Sequence, residues 1–112
     1  MAKASKIKWL DAIADVVGER TRQILDEGWT PEHDDAHTDG QLAQAAACYA
    51  HEAARADRTD HRRDGAPLSW PWGRGWWKPK DRRRDLVRAA ALIIAEIERI
   101  DRITARDARE EA

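Results

Sequence analysis

An all-α fold is predicted by three features of the 112-residue chain. Three segments repeat apolar residues with the spacing of an amphipathic helix, and none alternates apolar and polar residues as a half-buried strand does. Turn-forming residues separate these segments. The length suffices for one modest hydrophobic core. We therefore predict one helical domain over residues 1–112: three main helices in a compact bundle, a long tryptophan-rich loop before the last helix, and frayed ends at residues 1–4 and 108–112.

The first helix is predicted over residues 5–27, and Gly28 has the position of a glycine that ends a helix. Its apolar residues recur at helical spacing, so one face is expected to pack on the core and the other to be solvated. The expected core stripe consists of Leu10, Ile13, Val17 and Ile24. The expected solvated ridge consists of Asp11, Asp15, Glu19 and Arg22.

The second main helix is predicted over residues 39–58. Thr38 is the expected N-cap, and Gln41 three residues later would complete a capping box. Cys48 lies in an alanine-rich stretch and is expected to be buried, and Glu52 lies at the edge of the inward face. That face consists of Leu42, Ala45, Ala46, Tyr49 and Ala53.

The last helix is predicted over residues 79–108, with Pro79 in its first turn and Asp81 complementing the helix dipole. Its central stripe is expected to face the core and consists of Leu86, Ala90, Ile93, Ile97 and Ile100. The segment is apolar nearly all round, as in helices that lie centrally in a domain or in a subunit interface. We therefore expect a homo-oligomer.

Composition indicates a soluble cytoplasmic protein. The formal net charge is only −1, so no overall field favours nucleic acid or membranes, and no helix-turn-helix pattern supports DNA binding. Asp11 and Asp15 interrupt the first apolar run and argue against a signal peptide. No apolar run approaches the roughly 20 residues needed to span a bilayer. The single cysteine fits a reducing compartment.

The first of two polar loops is acidic and rich in histidine. Thr30 and Pro31 predict a short helical turn, which would place His33 and His37 one turn apart with Asp34 between them. Imidazole suits zinc and carboxylates suit Mg²⁺ or Mn²⁺, so these three residues are candidate metal ligands. The alternative is that the loop's acidic residues cap helix ends and pair with nearby arginines.

The second loop, residues 69–84, reads SWPWGRGWWKPKDRRR and joins tryptophans to basic residues. Residues 55–88 hold eleven basic and five acidic residues, an excess of six positive charges. Arginines beside a helix N-terminus favour phosphate, and indole rings can stack on a base. The alternative is that the tryptophans, Trp70 and Trp77 above all, form a small satellite core. The candidate ligand-binding residues are Trp72, Trp76, Lys80, Arg82, Arg83 and Arg84.

Catalytic candidates are few. The only serines, Ser5 and Ser69, lie in no nucleophile motif, and Cys48 is expected to be buried. An enzyme would therefore have to use a metal and carboxylates, for which Glu52 is the candidate catalytic base or ligand.

Two long segments also carry a resemblance. EGWTPEHDDAHTDGQLAQAAACYA and WPWGRGWWKPKDRRRDLVRAAALIIAEIERIDR resemble a family of small proteins encoded by bacteriophages and prophages. The chain is also loosely similar to the all-α MazG-like nucleotide pyrophosphohydrolases. Those enzymes hold Mg²⁺ with ExxE and ExxD carboxylate pairs and assemble as dimers or tetramers. This similarity implies roles for Glu52, Glu96 and Asp101, although Glu52 has no acidic residue three positions away.

Two functions are expected on these grounds. The first is a phage or prophage accessory protein that binds a nucleotide or other phosphorylated ligand between the two loops, with or without metal-dependent hydrolysis. The second is a non-enzymatic protein that inhibits a host enzyme or defence complex through the tryptophan and arginine loop, since both residue types are enriched in interface hot spots. If that loop folds over a concave pocket, a small ligand is favoured; if it is flat and exposed, a protein partner is favoured.

Overall fold

The computed structural model describes residues 8–55 and 65–111 of the chain. This part of the chain contains helices and no strand, so the predicted all-α class is confirmed. The helices are α1 (Lys8–Leu25), α2 (Pro31–Asp35), α3 (Gln41–Ala54) and α4 (Arg82–Glu111), with one 3-10 turn at Arg74–Trp76. Within the two described ranges, no helix combines the length and apolarity needed to cross a membrane.

The hydrophobic core lies between α3 and α4. The predicted inward face of α3 is confirmed, since all five of its residues are buried, and Cys48 is buried beside them. Alanine dominates both helices at this contact, so their backbones can approach closely. The tryptophan loop closes the core with Trp77. The buried residues that α4 contributes to this cluster are Ala89, Leu92 and Ala95.

The end of α1 follows the prediction. Gly28 has a φ of +75°, and the amide of Trp29 donates to the carbonyl of Gln23 at 3.0 Å. This hydrogen bond spans residues 23–29 and, with the left-handed glycine, forms a C-terminal capping motif. Because the motif turns the chain sharply, Trp29 is brought back against the bundle. The predicted start of α1 at residue 5 and the frayed residues 1–4 lie outside the described residues.

Two predicted helix starts are wrong. α3 begins at Gln41 after Gly40, whose φ of +80° makes it the N-cap, so Thr38 does not cap the helix. Gln41 still reaches back, but its side chain accepts from the amide of Asp39 at 2.7 Å. α4 begins at Arg82, after Pro79, because Asp81 accepts from the amide of Arg84 at 2.8 Å and caps the first turn.

The C-terminal ends of α3 and α4 also differ from the predicted ends. α4 is helical to Glu111, beyond the predicted end at residue 108. α3 ends at Ala54, because the backbone of Arg55 is extended, so the prediction that the helix continues beyond Ala54 is wrong at Arg55. Residues 56–58 lie outside the described residues, together with most of the connection before residue 67. Ala66, at the end of that connection, is buried and belongs to the same core cluster as Trp77.

The apolar stripes predicted to face the core on α1 and α4 are wrong. Their large side chains are about half exposed except Ile24, which is partly buried, whereas Glu19, predicted to be solvated, is buried. The reason is that α4 packs on α3 through its alanine-rich side and α1 packs on α4 through charged residues, so both stripes point outward. The exposed residues are Leu10, Ile13 and Val17 on α1, and Leu86, Ile93, Ile97 and Ile100 on α4.

Candidate ligand-binding clefts

The acidic loop is held in place by its own caps and ion pairs. As predicted, a short helix follows Thr30, whose hydroxyl accepts from the amide of His33 at 3.3 Å. Asp34 is fully buried and its carboxylate accepts from Arg20 at 2.8 Å. Asp35 pairs with Arg102 of α4 at 2.8 Å. These contacts fix α2 against α1 and α4.

The tryptophan loop folds over the core through a cluster of aromatic rings. Trp77 is buried and stacks on Tyr49 of α3 with ring centroids 4.7 Å apart. Trp70 meets both rings edge-on at 5.6 and 4.9 Å, and its indole N–H donates to the carbonyl of Gly73 at 3.0 Å. Trp70 and Trp77 therefore have the packing role that was the alternative to a ligand-binding role, although they pack on the main core rather than in a separate satellite core. Trp76, the last residue of the 3-10 turn, is half exposed.

The two loops meet at Trp72. Its ring lies 5.7 Å from that of Trp29 and 5.2 Å from that of His37. His33 stacks parallel to Trp29 at 5.9 Å and meets His37 edge-on at 4.8 Å. Aromatic faces thus surround an open cleft of about 430 Å³, which we call the aromatic cleft. It is lined by Glu27, Trp29, His33, His37, Trp72, Gly73 and Trp76.

A second cleft of about 290 Å³, the basic cleft, lies beside the first. Five basic and two acidic side chains line it, so its lining carries a formal excess of three positive charges. The basic residues come from α1, from the end of the tryptophan loop and from α4. The lining consists of Glu19, Arg22, Gln23, Glu27, Trp29, Tyr49, Trp76, Lys78, Lys80, Arg84 and Arg88.

The floor of the basic cleft is organised around Glu19. Its buried carboxylate pairs with Arg22 at 2.9 Å and with Arg84 at 2.5 Å, and Arg88 lies 3.8 Å away. Burial alone would raise the pKa of Glu19, but the hydrogen bonds and charges of Arg22 and Arg84 outweigh burial and lower it. The hydrogen bond to Glu19 is also the main reason that the pKa of Arg22 is raised. Both partners of this pair are therefore ionised at neutral pH.

The chain that carries Lys78 and Lys80 is anchored through its backbone. The amide of Lys78 donates to the hydroxyl of Tyr49 at 3.1 Å, and its carbonyl accepts from Arg88. The amide of Lys80 donates to the buried carboxylate of Asp85 at 2.7 Å. Lys78 Nζ lies 5.7 Å from the Trp76 ring centroid. These contacts set both lysines at the basic cleft on a fixed stretch of backbone.

The predicted metal ligands His33, Asp34 and His37 lie close together, and two of them are hydrogen-bonded to each other. His33 Nδ1 is 3.1 Å from the Asp34 carboxylate, whose other oxygen is held by Arg20. Burial, reinforced by the neighbouring His33, lowers the pKa of His37 despite the opposing charge of Asp34. Across residues 8–55 and 65–111, no three His, Cys, Asp or Glu side chains are grouped so that they could hold a metal ion.

The predicted ligand-binding residues are only partly brought together. Trp72 and Trp76 line the aromatic cleft, and Lys80 and Arg84 line the basic cleft. Arg82 lines neither cleft, and Arg83 lies outside both and pairs with Asp15 at 2.8 Å. The candidate base Glu52 also lines neither cleft; its carboxylate accepts from Arg55 at 2.9 Å.

Sequence reasoning missed several residues of the clefts, including Glu27, which lines both. Trp29 forms part of both linings, and Arg22, Lys78 and Arg88 supply much of the positive charge. Trp29 had a detectable signal, because a tryptophan directly after a helix-ending glycine needs a packing partner. The two helical arginines had none, since an arginine on a helix is usually solvated.

The chain was compared with protein-family models, curated proteins and solved structures. No family model, curated protein or solved structure matches the chain.

Proposed function

We propose that the protein binds a phosphorylated ligand that carries a planar ring, of which a nucleotide is the simplest example. The ring would enter the aromatic cleft and the phosphate would enter the basic cleft. The observation that carries the proposal is the wall shared by the two clefts, formed by Glu27, Trp29 and Trp76. Because the two clefts share these three residues, they are adjacent, and a single ligand that extends over this wall would occupy both.

The chemistry of each cleft supports this division. Indole and imidazole rings offer stacking faces for a base, and each stacked ring contributes about 1 to 3 kcal/mol. Both basic residue types suit phosphate: arginine donates two parallel hydrogen bonds from its guanidinium group, and lysine supplies a compact positive charge. The aromatic cleft, at about 430 Å³, falls within the range of about 300 to 1,000 Å³ found for small-molecule sites. The tryptophan loop thus borders a concave surface, which is the arrangement expected for a small ligand.

The proposal is tested by thermal unfolding against a panel of nucleosides, nucleotides and inorganic phosphate. A ligand that binds the native state stabilises it, by about 2.7 kcal/mol when the free ligand is at a hundredfold excess over its Kd. This stabilisation raises the midpoint temperature of unfolding. Nucleotides should stabilise the protein more than either the nucleoside or phosphate alone, since only they fill both clefts. A panel without any shift, in Mg²⁺, Mn²⁺ and EDTA alike, would contradict the proposal.

Variants separate the two clefts from the rest of the surface. Trp76→Ala should weaken nucleotide binding about tenfold or more through lost stacking. Lys78→Gln should weaken binding of nucleotides but not of nucleosides. The matched control is Arg82→Gln, which removes one positive charge from an exposed residue outside both clefts and should leave the affinity unchanged.

Metal-dependent hydrolysis is a second step of the same proposal. It requires a carboxylate near the phosphate, and Glu52 lines neither cleft. Glu27 lies on the shared wall, 3.3 Å from Arg22, and is the carboxylate through which Mg²⁺ or Mn²⁺ would reach a bound phosphate. Release of phosphate or pyrophosphate that needs metal and disappears in Glu27→Gln would support hydrolysis. Binding without turnover would restrict the function to binding.

The second candidate is the phage or prophage protein that captures a host enzyme or defence complex. The observation that favours it is exposure on and beside the tryptophan loop: Leu68 is fully exposed, and Trp76 is half exposed at the rim. Exposed aromatic residues of this kind form interface hot spots. If no nucleotide stabilises the protein, while a host protein is retained by the wild type and lost with Leu68→Asp, this second function replaces the first.

A further inference from the structure

The outward face of α4 carries an apolar seam with a regular repeat. Leu86, Ile93, Ile97 and Ile100 are each about half exposed; Ala90 lies between them and Thr104 continues the row. The six positions, 86, 90, 93, 97, 100 and 104, are separated alternately by four and three residues. This is the spacing with which two helices pair in a coiled coil.

The seam is separate from the core of its own chain. The α3 contact uses the other side of α4, through Leu92 and Ala95, which are fully buried. Arg88, which lines the basic cleft, is also on that side. A helix with two distinct apolar faces of this kind is expected to have an apolar partner on each face. Within residues 8–55 and 65–111, α3 covers one face. α1 also packs on α4, but the buried residues of α1 are Glu19, Arg20 and Gln23, and the large seam side chains stay about half exposed.

We propose that the seam is the interface of an antiparallel homodimer, in which α4 packs on α4 of a second copy. Placing the two-fold axis midway between positions 93 and 97 pairs every seam position with one in the other copy. Position 93 then faces position 97 of the partner, 90 faces 100, and 86 faces 104. The central pair joins two isoleucines, and each flanking pair sets a large side chain against a smaller one: Ile100 against alanine and Leu86 against threonine. Pairs of this kind let the two helix backbones stay close while the space between them is filled.

Charge complementarity selects the antiparallel orientation. The same register can be followed one heptad further outward, to seven residues before Ala90 and seven residues after Ile100. There it sets Arg83 of one copy opposite position 107 of the other, which is an aspartate. Opposite charges therefore meet at both ends of the seam. A parallel pair would instead place Arg83 against itself and Asp107 against itself, and would stack alanine on alanine at position 90. Glu96 flanks the centre, but its carboxylate is held by Arg99 at 2.8 and 3.1 Å, so its charge is compensated.

The apolar surface continues from the seam onto α1. A groove between the two helices is lined by Ala12, Ile13, Val16, Val17 and Ile94. The exposed residues Trp9, Leu10, Ile13 and Val17 of α1 therefore extend the surface that a second copy would cover. Together with the four large seam residues they make eight large apolar side chains, each between 43% and 64% exposed, that a second copy could cover.

The first test is the oligomeric state of the full chain, measured by sedimentation equilibrium over a concentration series. The wild type should sediment as a dimer, at twice 12.8 kDa. Ile97→Glu should raise the dimer dissociation constant about thirtyfold or more. The control Leu68→Glu introduces the same charge at a fully exposed residue outside the seam and should leave the dimer intact. A monomeric wild type, or an Ile97→Glu variant that dimerises as tightly as the wild type, would overturn the proposal.

The second test addresses the register. Arg83→Asp and Asp107→Arg should each weaken the dimer, and the double variant should be tighter than either, because the opposite charges then meet again. Arg83 also pairs with Asp15 in its own chain, but that loss is common to the Arg83→Asp single variant and the double variant. An orientation check uses cysteines on a Cys48→Ser background. A mixture of Ala90→Cys and Ile100→Cys chains should form a mixed disulfide, whereas self-linked Ala90→Cys would contradict the antiparallel arrangement.

Discussion

The two helices that pack on α4 do so by opposite means. α3 joins α4 through apolar residues, with Leu42 and Leu92 fully buried at the contact. α1 contributes no buried apolar side chain among the described residues; its buried residues are Glu19, Arg20 and Gln23. Arg20 bonds to Asp34 and Glu98, and Glu19 bonds to Arg84. One contact is therefore non-directional and the other is set by hydrogen-bond geometry.

The difference bears on what each contact can supply. Apolar burial drives folding, at roughly 25 cal/mol per Å² removed from water. Buried ion pairs lose much of their Coulomb energy to desolvation, but they tolerate little displacement of either partner. The α3 contact is thus expected to supply stability, and the α1 contact to set the position of the basic cleft. The apolar side of α1 stays outward, where the proposed second copy would cover it.

The largest expected effect is in the apolar contact. Leu92→Ala should lower the free energy of unfolding by about 3 to 5 kcal/mol, because it removes buried methyl groups and leaves a cavity among alanines that cannot close it. Urea unfolding followed by circular dichroism measures the change. Leu25→Ala is the matched control: Leu25 is 75% exposed, and its loss should change stability by less than about 0.5 kcal/mol. Equal costs at the two positions would show that the core is not where the structure places it.

A substitution in the charged contact between α1 and α4 should cost less stability, but its salt dependence should show that the contact is mediated by charge. Glu19→Gln leaves Arg22, Arg84 and Arg88 around a neutral amide, and should cost about 2 to 3 kcal/mol, since part of each arginine can turn to solvent. Exposed Glu32→Gln is the control and should be nearly neutral. The unfolding free energy of the wild type should also fall with added salt more than that of Glu19→Gln. A salt response that is the same in both proteins would argue against a charge-mediated contact.

How far the sequence predicts the fold depends on the same contrast. The inward face of α3 could be predicted, because Leu42, Ala45 and Tyr49 form its one apolar face. α4 has two apolar faces, and periodicity cannot say which one meets α3; the larger residues of the Ile93 and Ile97 face suggested the wrong one. Periodicity detects an apolar stripe without showing whether its partner lies in the same chain, and the α1 stripe was misassigned for the same reason.

The clefts show a similar limit. The sequence indicated that the tryptophan loop and the acidic loop carry the binding chemistry, and Trp72 and Trp76 do line the aromatic cleft. The separation of the three consecutive arginines could not be predicted, since it depends on where α1 crosses α4. Arg83 faces Asp15, while Arg84 faces Glu19 one turn later on α1. Long-range placement of this kind has no local sequence signal.

Acid is expected to lower the free energy of unfolding in two stages. The folded protein lowers the pKa of both Glu19 and His37, so each group binds protons more weakly in the folded than in the unfolded chain. Stability from such a group is complete above its unfolded pKa and is lost as the pH falls through its folded pKa. Unfolding free energy should therefore decline in two stages, below about 6.5 for His37 and below about 4.5 for Glu19. Urea unfolding at a series of pH values measures both stages.

Two variants assign these stages. His37→Gln should remove the decline near neutral pH and leave the decline in acid, and Glu19→Gln should do the reverse. If stability instead rose as the pH fell from 6.5, a protonated His37 would be favoured in the folded protein, and the inferred effect of its burial would be wrong.

The smallest expected effect comes from comparing the two ion pairs of Arg20, one with a buried carboxylate and one with an exposed carboxylate. Arg20 donates to Asp34, which is fully buried, and to Glu98, whose side chain is 44% exposed, at 2.8 and 3.0 Å. Similar distances would suggest similar contributions. Solvent screens the exposed pair, however, so Glu98→Gln should cost less than about 0.5 kcal/mol, whereas Asp34→Asn should cost about as much as Glu19→Gln. Urea unfolding of both variants at one ionic strength makes the comparison. Equal losses would mean that hydrogen-bond geometry, rather than burial, sets the strength of the contact between α1 and the rest of the chain.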